Sequence, residues 1–229
     1  MTNEIGGVVM QSAISCKKVE GGKYKIYTYK TVDLSEDEIS TIIERVKELY
    51  LWFAPSSSEV AIRERLLRHK DTHISILVRT EDNSCRGFSV HYTETLGNLR
   101  VIFRDGTVIR DRSRGLYKIL LRCSITLDHH DYIVAMTQNP RVYETLRSFS
   151  RSGKIFPSNK SDVPDEVREI AAKFCRVPAI ALDTLIVSGV YDNIRKDTEF
   201  KQPKDAEVKD FFAKKLGDND GFFVVVPLR

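Results

Sequence analysis

The sequence predicts an α/β fold, because strand patterns and helix patterns alternate along the chain. Segments of alternating polarity or of continuous β-branched residues are separated by segments whose apolar residues recur at helical spacing. Up to about residue 150, the order of these patterns is β-α-α-β-β-β-α-β-α. The chain has 229 residues, of which 41% are hydrophobic, and this is enough for one large core. We therefore expect a single domain over residues 1–229.

The first half of the chain supplies a strand, two helices and two further strands. Ser35 and Glu38 have the spacing of a capping box, which marks the start of a helix. Apolar residues at helical spacing continue this helix to Leu49. The predicted elements are a strand at residues 24–30, helices at 35–49 and 56–67, and strands at 73–79 and 87–93.

A basic turn between a strand and a helix is the most informative feature of the sequence. Residues 99–104 and 107–109 are apolar and β-branched enough for a strand, and apolar side chains recur at helical spacing from Leu116 to Leu127. Residues 112–115 lie between them and read Arg-Ser-Arg-Gly. A turn that leads into a helix presents backbone N–H groups at the positive end of the helix dipole, and arginines add charge-assisted donors. The turn therefore suits a phosphate group.

Another strand and helix follow this turn. Residues 131–137 form a short apolar run that is typical of a buried strand. Asn139 and Pro140 then open a helix pattern that reaches Phe149, with the asparagine suited to the N-cap and the proline to the first helical position.

Residues 151–229 carry weaker patterns. Residues 152–164 predict a surface connection. The further predicted elements are a helix around 167–174, a strand at 185–191, a helix around 208–216 and a strand at 222–226.

The composition argues against several classes of protein. No apolar run approaches the ~20 residues that cross a bilayer, and the first residues lack the features of a secretory signal. The four cysteines are far apart in sequence and form no metal-type pair, so we expect reduced thiols in the cytoplasm, and no metal at His129-His130-Asp131 either. The net charge of +4 is concentrated around the basic turn. This fits an anionic cofactor better than a nucleic acid, for which charge is the sole argument.

The basic turn resembles the acyl-CoA-binding signature of the GCN5-related N-acetyltransferase (GNAT) family, Arg/Gln-x-x-Gly-x-Gly/Ala. Arg112 matches its first position and Gly115 its fourth, while Tyr117 stands where the family has a small residue. The resemblance covers roughly residues 24–150. It implies a mixed, mostly antiparallel central sheet that is flanked by helices and ends in two antiparallel strands.

The resemblance also implies how an acyl-CoA binds. The turn would hold the pyrophosphate, and the end of the preceding strand would pair with the pantetheine arm. A backbone N–H near Val108, Ile109 or Arg110 would point at the thioester carbonyl. By its neighbours in sequence Asn139 is a helix cap, and the resemblance adds a contact with the pantetheine arm or the phosphates. The cofactor-binding residues so implied are Val108, Ile109, Arg110, Arg112, Ser113, Arg114, Gly115, Leu116, Tyr117 and Asn139.

Proton transfer has several candidate residues. Glu94, His91 and Asp105 lie on or near the predicted central strands and are candidates for a general base, although each is also explained as a solvated or structural residue. The usual acid of the family is a tyrosine seven residues beyond the asparagine, where this chain has Leu146. Tyr143 lies one helical turn earlier and either replaces that acid or packs against the sheet.

The sequence thus predicts an acyl-CoA-dependent N-acyltransferase. By the resemblance, a primary amine attacks the thioester directly, with acetyl-CoA as the default donor and another acyl-CoA as a variant. The acceptor is a small molecule or a peptide, and a homodimer is left open. The alternative is a non-catalytic acyl-CoA-binding or regulatory module of the same fold, which Leu146 and Tyr117 favour.

Overall fold

A computed structural model describes residues 12–69, 71–111, 115–124, 129–191 and 203–229. The strands are β1 (Ser15–Val19), β2 (Tyr24–Lys30), β3 (Thr72–Arg79), β4 (Cys85–Leu96), β5 (Leu99–Ile109), β6 (Tyr132–Thr137), β7 (Ile180–Ala181), β8 (Ile186–Val187) and β9 (Gly221–Pro227). The helices are α1 (Glu36–Phe53), α2 (Glu59–Leu66), α3 (Leu116–Ser124), α4 (Pro140–Arg147), α5 (Asp165–Phe174) and α6 (Ala206–Lys215). Short 3-10 turns at Glu20–Gly22 and Thr31–Asp33 flank β2.

The strands of the described residues form one nine-stranded sheet, in the order β1-β2-β3-β4-β5-β6-β9-β8-β7. Strands β5 and β6 run parallel, with Val101–Arg104 opposite Tyr132–Ala135. The pairs β1–β2, β2–β3, β3–β4, β6–β9, β8–β9 and β7–β8 are antiparallel. The predicted mixed, mostly antiparallel sheet flanked by helices is therefore confirmed.

The chain divides into two compact units. The first comprises Met1–Thr93 and Asp105–Leu127, and the second comprises Glu94–Arg104 and Asp128–Arg229. Strands β4 and β5 each contribute residues to both units. The single domain expected over residues 1–229 stays a prediction.

In the first unit, helices α1 and α2 pack on one face of the sheet. Ile42, Val46 and Ile62 are fully buried in the same cluster as Ile74 and Ile76 of β3. Complete burial of one such aliphatic side chain is worth about 1.5–3 kcal/mol relative to exposure. Because side chains alternate along a strand, the neighbours of these β3 residues face the other side of the sheet, where α3 packs.

The start of α1 shows how local sequence defines an element. Ser35 accepts a hydrogen bond from the backbone N–H of Glu38, and the Glu38 carboxylate accepts one from the backbone N–H of Ser35 at 2.8 Å. The predicted capping box is confirmed. The N-cap predicted at Asn139 is present as well, and Ser58 caps α2 in the same way.

Replacement of Ser35 by alanine is expected to lower the free energy of unfolding by about 1 kcal/mol, because it leaves helix N–H groups without an acceptor. Ser40 lies exposed inside the same helix and is the matched control. There the same change removes no cap, and alanine is the better helix former, so Ser40→Ala should be neutral or slightly stabilising. Urea denaturation of both variants measures the difference. Equal losses in the two would show that the cap contributes nothing.

In the second unit, β6 and β9 form the most buried pair of strands. Their ladder runs from Tyr132 opposite Pro227 to Thr137 opposite Phe222. Residues 133–135 and 222–226 are buried almost completely on both faces. Such continuous apolar runs mark strands that are covered on both sides. Both strands were expected from the sequence.

Two expectations for the C-terminal third are wrong. The strand predicted at 185–191 is only Ile186–Val187, because Leu185 adopts a left-handed φ of 54° at the end of a turn and Gly189 one of 68°. The expected surface connection at 152–164 contains the buried Ile155 and Phe156, since Phe156 exchanges backbone hydrogen bonds with Val225 of β9. The expected pairing of the last two strands is confirmed in the short ladder between β8 and β9.

Candidate active site

The predicted strand and helix on either side of the basic residues 112–115 are present. β5 ends at Ile109, Asp111 precedes the turn, and α3 starts at Leu116. Arg112, Ser113 and Arg114, three of the predicted phosphate ligands, lie outside the described residues. The first turn of any α-helix has backbone N–H groups without intrahelical partners, so the start of α3 offers such donors beside the basic residues.

Gly115 has a conformation that few other residues adopt. Its φ is 88°, in the left-handed region. A Cβ built on Gly115 meets no described atom within 4 Å. Both properties allow a ligand to approach the backbone closely at the start of α3. The end of β5 and the start of α3, here called the corner, are where the sequence predicts the pyrophosphate to bind.

The carboxylate of Asp111, the residue immediately before the basic turn, is compensated by the guanidinium of Arg86 and the hydroxyl of Tyr24. Its Oδ1 accepts hydrogen bonds from the Arg86 guanidinium, with Nε at 2.9 Å and Nη2 as a second donor, and its Oδ2 accepts one from the Tyr24 hydroxyl at 2.8 Å. The hydrogen bonds from Arg86 hold the pKa of Asp111 below its usual range. Burial, followed by the bond to Asp111, raises the pKa of Tyr24.

The hydrogen bonding of β5 distinguishes between the three backbone N–H groups that the sequence predicts as donors to the thioester carbonyl, those of Val108, Ile109 and Arg110. The N–H of Arg110 donates to the carbonyl oxygen of Arg86 at 2.9 Å, so it belongs to the ladder with β4. Successive N–H groups of a strand point to opposite edges of that strand. The N–H of Val108 therefore also points toward β4, and the N–H of Ile109 points away from it. Of the three predicted residues, Ile109 thus directs its N–H to the other edge of β5.

The side chains of the other predicted cofactor residues in the first unit are engaged within the protein. Arg110 is exposed and forms an ion pair with Glu48 at 3.0 Å. Val108 and Leu116 are buried on opposite faces of the sheet, in the clusters with α1 and α3 respectively. Tyr117 is half-buried on α3. Contact of these residues with a cofactor would therefore come mainly from their backbone.

Asp105 is the candidate base whose carboxylate is least committed. Its side chain is 6% exposed, and its Oδ2 has no hydrogen-bond partner among the described residues. Arg65 of α2 lies beside it, with Nη2 donating to the Asp105 carbonyl at 3.0 Å and lying 3.7 Å from Oδ1. Asp105 is also the first β5 residue beyond the ladder with β6, which ends at Arg104. A buried carboxylate with an open acceptor site can take a proton.

The other two candidate bases have defined partners. His91 is buried, and its Nε2 lies 3.2 Å from Nδ1 of His73, which is opposite it on β3. The Glu94 carboxylate forms an ion pair with Arg176 at 3.0 Å. Proton transfer by either residue would compete with these contacts.

Asn139 and Tyr143 lie in the second unit. Asn139 Oδ1 accepts from the backbone N–H of Arg141 at 2.9 Å, which confirms its role as the cap of α4. Tyr143 is 3% exposed, and its hydroxyl donates to the carbonyl oxygen of Pro157 at 2.7 Å. Burial raises the pKa of Tyr143. The proton of Tyr143 is thus used inside the unit, which favours a packing role over the predicted role as a general acid.

Tyr143→Phe is expected to lower the free energy of unfolding by about 1 kcal/mol, because the Pro157 carbonyl loses its buried donor. Turnover should stay within about twofold of that of the unaltered chain, since no transition-state contact is lost. Thermal denaturation and steady-state kinetics on the same preparation separate the two effects. A selective fall in kcat at unchanged stability would identify Tyr143 as the proton donor instead.

Sequence reasoning missed Arg65, Tyr24 and Arg86. Each acts on a residue far away in sequence, such as Tyr24 on Asp111 across 87 positions. No local pattern reports such a contact. The roles of these three residues can be recognised only in the folded structure.

The described part of the chain contains neither a membrane-spanning helix nor a metal-binding cluster. No helix in this part of the chain is both long and apolar enough to span a bilayer. The same residues contain no cluster of three or more His, Cys, Asp or Glu side chains that could hold a metal ion. A cavity of about 370 Å³ lies in the second unit, with Tyr143, Phe156 and Phe211 among its lining residues.

Comparison with known proteins gives similarities at the level of structure. No protein-family model and no curated protein sequence matches the chain. The structure is similar to a chain of the NatC complex bound to Gag peptide and CoA, with 13% identity, coverage of 89% of this chain and 99% of the other, and a TM-score of 0.45.

Two further similarities are more partial. A GNAT family acetyltransferase from Staphylococcus aureus has 20% identity, coverage of 43% of this chain and 74% of the other, and a TM-score of 0.33. An aminoglycoside N-acetyltransferase in complex with CoA has 18% identity, coverage of 44% of this chain and a TM-score of 0.33, and the chain spans 66% of its length. Two of these three structures are described as acetyltransferases, and two of the three contain CoA.

Proposed function

We propose that the chain is an acyl-CoA-dependent N-acyltransferase of the GCN5-related type, with acetyl-CoA as the default donor and a primary amine as the acceptor. The observation that carries this proposal is the corner at the end of β5. There β5 ends at Ile109, the arginine-containing residues 112–114 follow in sequence, and the left-handed Gly115 leads into the start of α3. The order of the strands, with β5 and β6 as the parallel pair, supports the same assignment.

In this proposal the corner binds the pyrophosphate of the coenzyme. Arg112 and Arg114 supply positive charge, and the first N–H groups of α3 supply donors at the positive end of the helix dipole. Gly115 leaves room for the phosphate oxygens to approach the backbone. The acyl-CoA itself carries the activated acyl group, so the chain mainly has to bind and orient it.

The proposed oxyanion donor is the N–H of Ile109. It points to the edge of β5 away from β4, whereas Arg110 uses its N–H in the ladder. A fixed backbone donor stabilises the charge that develops on the thioester oxygen as the amine attacks. Of the three backbone donors that the sequence suggests, Val108, Ile109 and Arg110, we therefore propose only Ile109.

The proposed general base is Asp105. The attacking amine must lose a proton as the new C–N bond forms, and a carboxylate with an open acceptor site can receive that proton directly or through a water. Arg65 holds the backbone of Asp105 and adds a positive charge near the carboxylate. The leaving thiolate then takes a proton from solvent, because the Tyr143 hydroxyl is already engaged in a hydrogen bond to the Pro157 carbonyl.

Release of the coenzyme A thiol tests the activity. Acetyl-CoA is incubated with the chain and, in separate reactions, with small polyamines, an aminoglycoside, free amino acids and peptides with a free N-terminus. We expect amine-dependent thiol release with at least one class of acceptor, and mass spectrometry should find one acyl group on the product. Tight binding of acetyl-CoA without turnover on any amine would favour the non-catalytic module. The hydrogen bond of Tyr143 to Pro157 and the presence of Leu146 are the two observations that support this alternative.

A further inference from the structure

We propose that Tyr24 and Asp111, with Arg86, are positioning residues that fix both ends of the coenzyme-binding turn. This inference rests on the proposed function, because it concerns the same corner. None of the three residues is in the signature motif. They come from β2, from β4 and from the residue that precedes the turn.

The upstream end of the turn is held by three donors on one carboxylate. Arg86 donates twice to Oδ1 of Asp111, and Tyr24 donates to Oδ2. The side chains of Arg86 and Asp111 are only 19% and 16% exposed. The backbones are joined next to this pair, through the Arg110 N–H and the Arg86 carbonyl. A charged pair that is mostly shielded from water, with both oxygens satisfied, gives the backbone at Asp111 little freedom.

The downstream end is held by the same tyrosine. The ring of Tyr24 is 2% exposed and lies in the buried cluster that contains Leu116 and Leu120 of α3. Its hydroxyl therefore contacts the residue before the turn, while its ring packs in the cluster that holds the first residue after it. One side chain thus fixes the distance between Asp111 and the start of α3. Such supporting contacts set how well a binding site is preorganised.

The sign of the effect of Asp111 on binding distinguishes positioning from simple charge. A carboxylate near a phosphate site repels the ligand, so its removal would tighten the binding of coenzyme A if charge were its only contribution. Removal would also release the positive charge of Arg86. If Asp111 positions the turn, its removal weakens binding in spite of both electrostatic gains.

Calorimetric titration with coenzyme A measures this sign. We expect Asp111→Asn to raise the Kd about tenfold and Tyr24→Phe about threefold, since the first change weakens all three charge-assisted bonds to the carboxylate and the second removes one of them. At saturating acyl-CoA, kcat should stay within about twofold, because neither residue touches the reacting atoms. Tyr24→Phe keeps the buried ring and thus provides a test even if Asp111→Asn folds poorly.

Two matched controls remove the same kinds of contact elsewhere. Asp205 pairs with Arg147 at 2.9 Å, and the Tyr132 hydroxyl donates to the Glu166 carboxylate at 2.7 Å, both in the second unit. Asp205→Asn and Tyr132→Phe should leave the Kd unchanged. Unchanged or tighter binding by Asp111→Asn, or equal weakening in the controls, would overturn the positioning role while the proposed function stands. Absence of binding by the unaltered chain would overturn both.

Discussion

The double change Arg112→Ala with Gly115→Asp is expected to abolish binding of coenzyme A and leave the chain folded. The first change removes a charge-assisted phosphate donor. The second places a carboxylate at the start of α3, where it competes with the phosphate for the N–H groups of the helix. At a φ of 88° the new side chain also strains the backbone, although aspartate tolerates this region better than most residues.

A matched control for this variant exists in the second unit. Arg151 and Gly153 are exposed, and Gly153 also has a left-handed φ of 70° with no described atom within 4 Å of a built Cβ. Arg151→Ala with Gly153→Asp therefore repeats the change of charge and the backbone strain away from the corner in sequence. We expect this control to bind coenzyme A as the unaltered chain does. Loss of binding in both double variants, or in neither, would argue against the assigned corner.

Asp105→Asn is expected to reduce kcat by about 100-fold or more, the usual range for loss of a general base. Asparagine has nearly the shape of aspartate but accepts no proton, so the Kd for acyl-CoA should stay within about twofold. Steady-state kinetics with a saturating amine and calorimetry on the same variant measure the two quantities. The change Glu94→Gln is the control, because it removes a carboxylate that is already paired with Arg176. A larger loss for Glu94→Gln than for Asp105→Asn would identify Glu94 as the base.

Local signals in the sequence predicted much of the fold. Ser35 with Glu38, and Asn139 with Pro140, predicted the starts of α1 and α4, because capping depends on residues within one helical turn. The strand predicted at 185–191 is much shorter in the structure, although its apolar residues resemble a strand pattern. Leu185 and Val187 are buried, yet a turn at Leu185 and the left-handed Gly189 interrupt the extended backbone.

The candidate site was predictable only in part. The basic turn is contiguous, so its residues could be read as one motif. The contacts that decide its chemistry join distant residues, such as Arg65 with Asp105 and Tyr143 with Pro157. Sequence also offered three equivalent backbone donors near the strand end, and only the ladder partner of Arg110 separates Ile109 from its neighbours.

Titration of the isotope-labelled chain with coenzyme A, followed by the backbone amide resonances, tests the central claim most directly. It reports both whether the ligand binds and where. We expect the largest shifts at Gly115 and Leu116, with further shifts at Ile109, and smaller ones when the ligand lacks the pyrophosphate. A saturable response centred instead on the cavity lined by Tyr143, Phe156 and Phe211, or no response at all, would contradict the account.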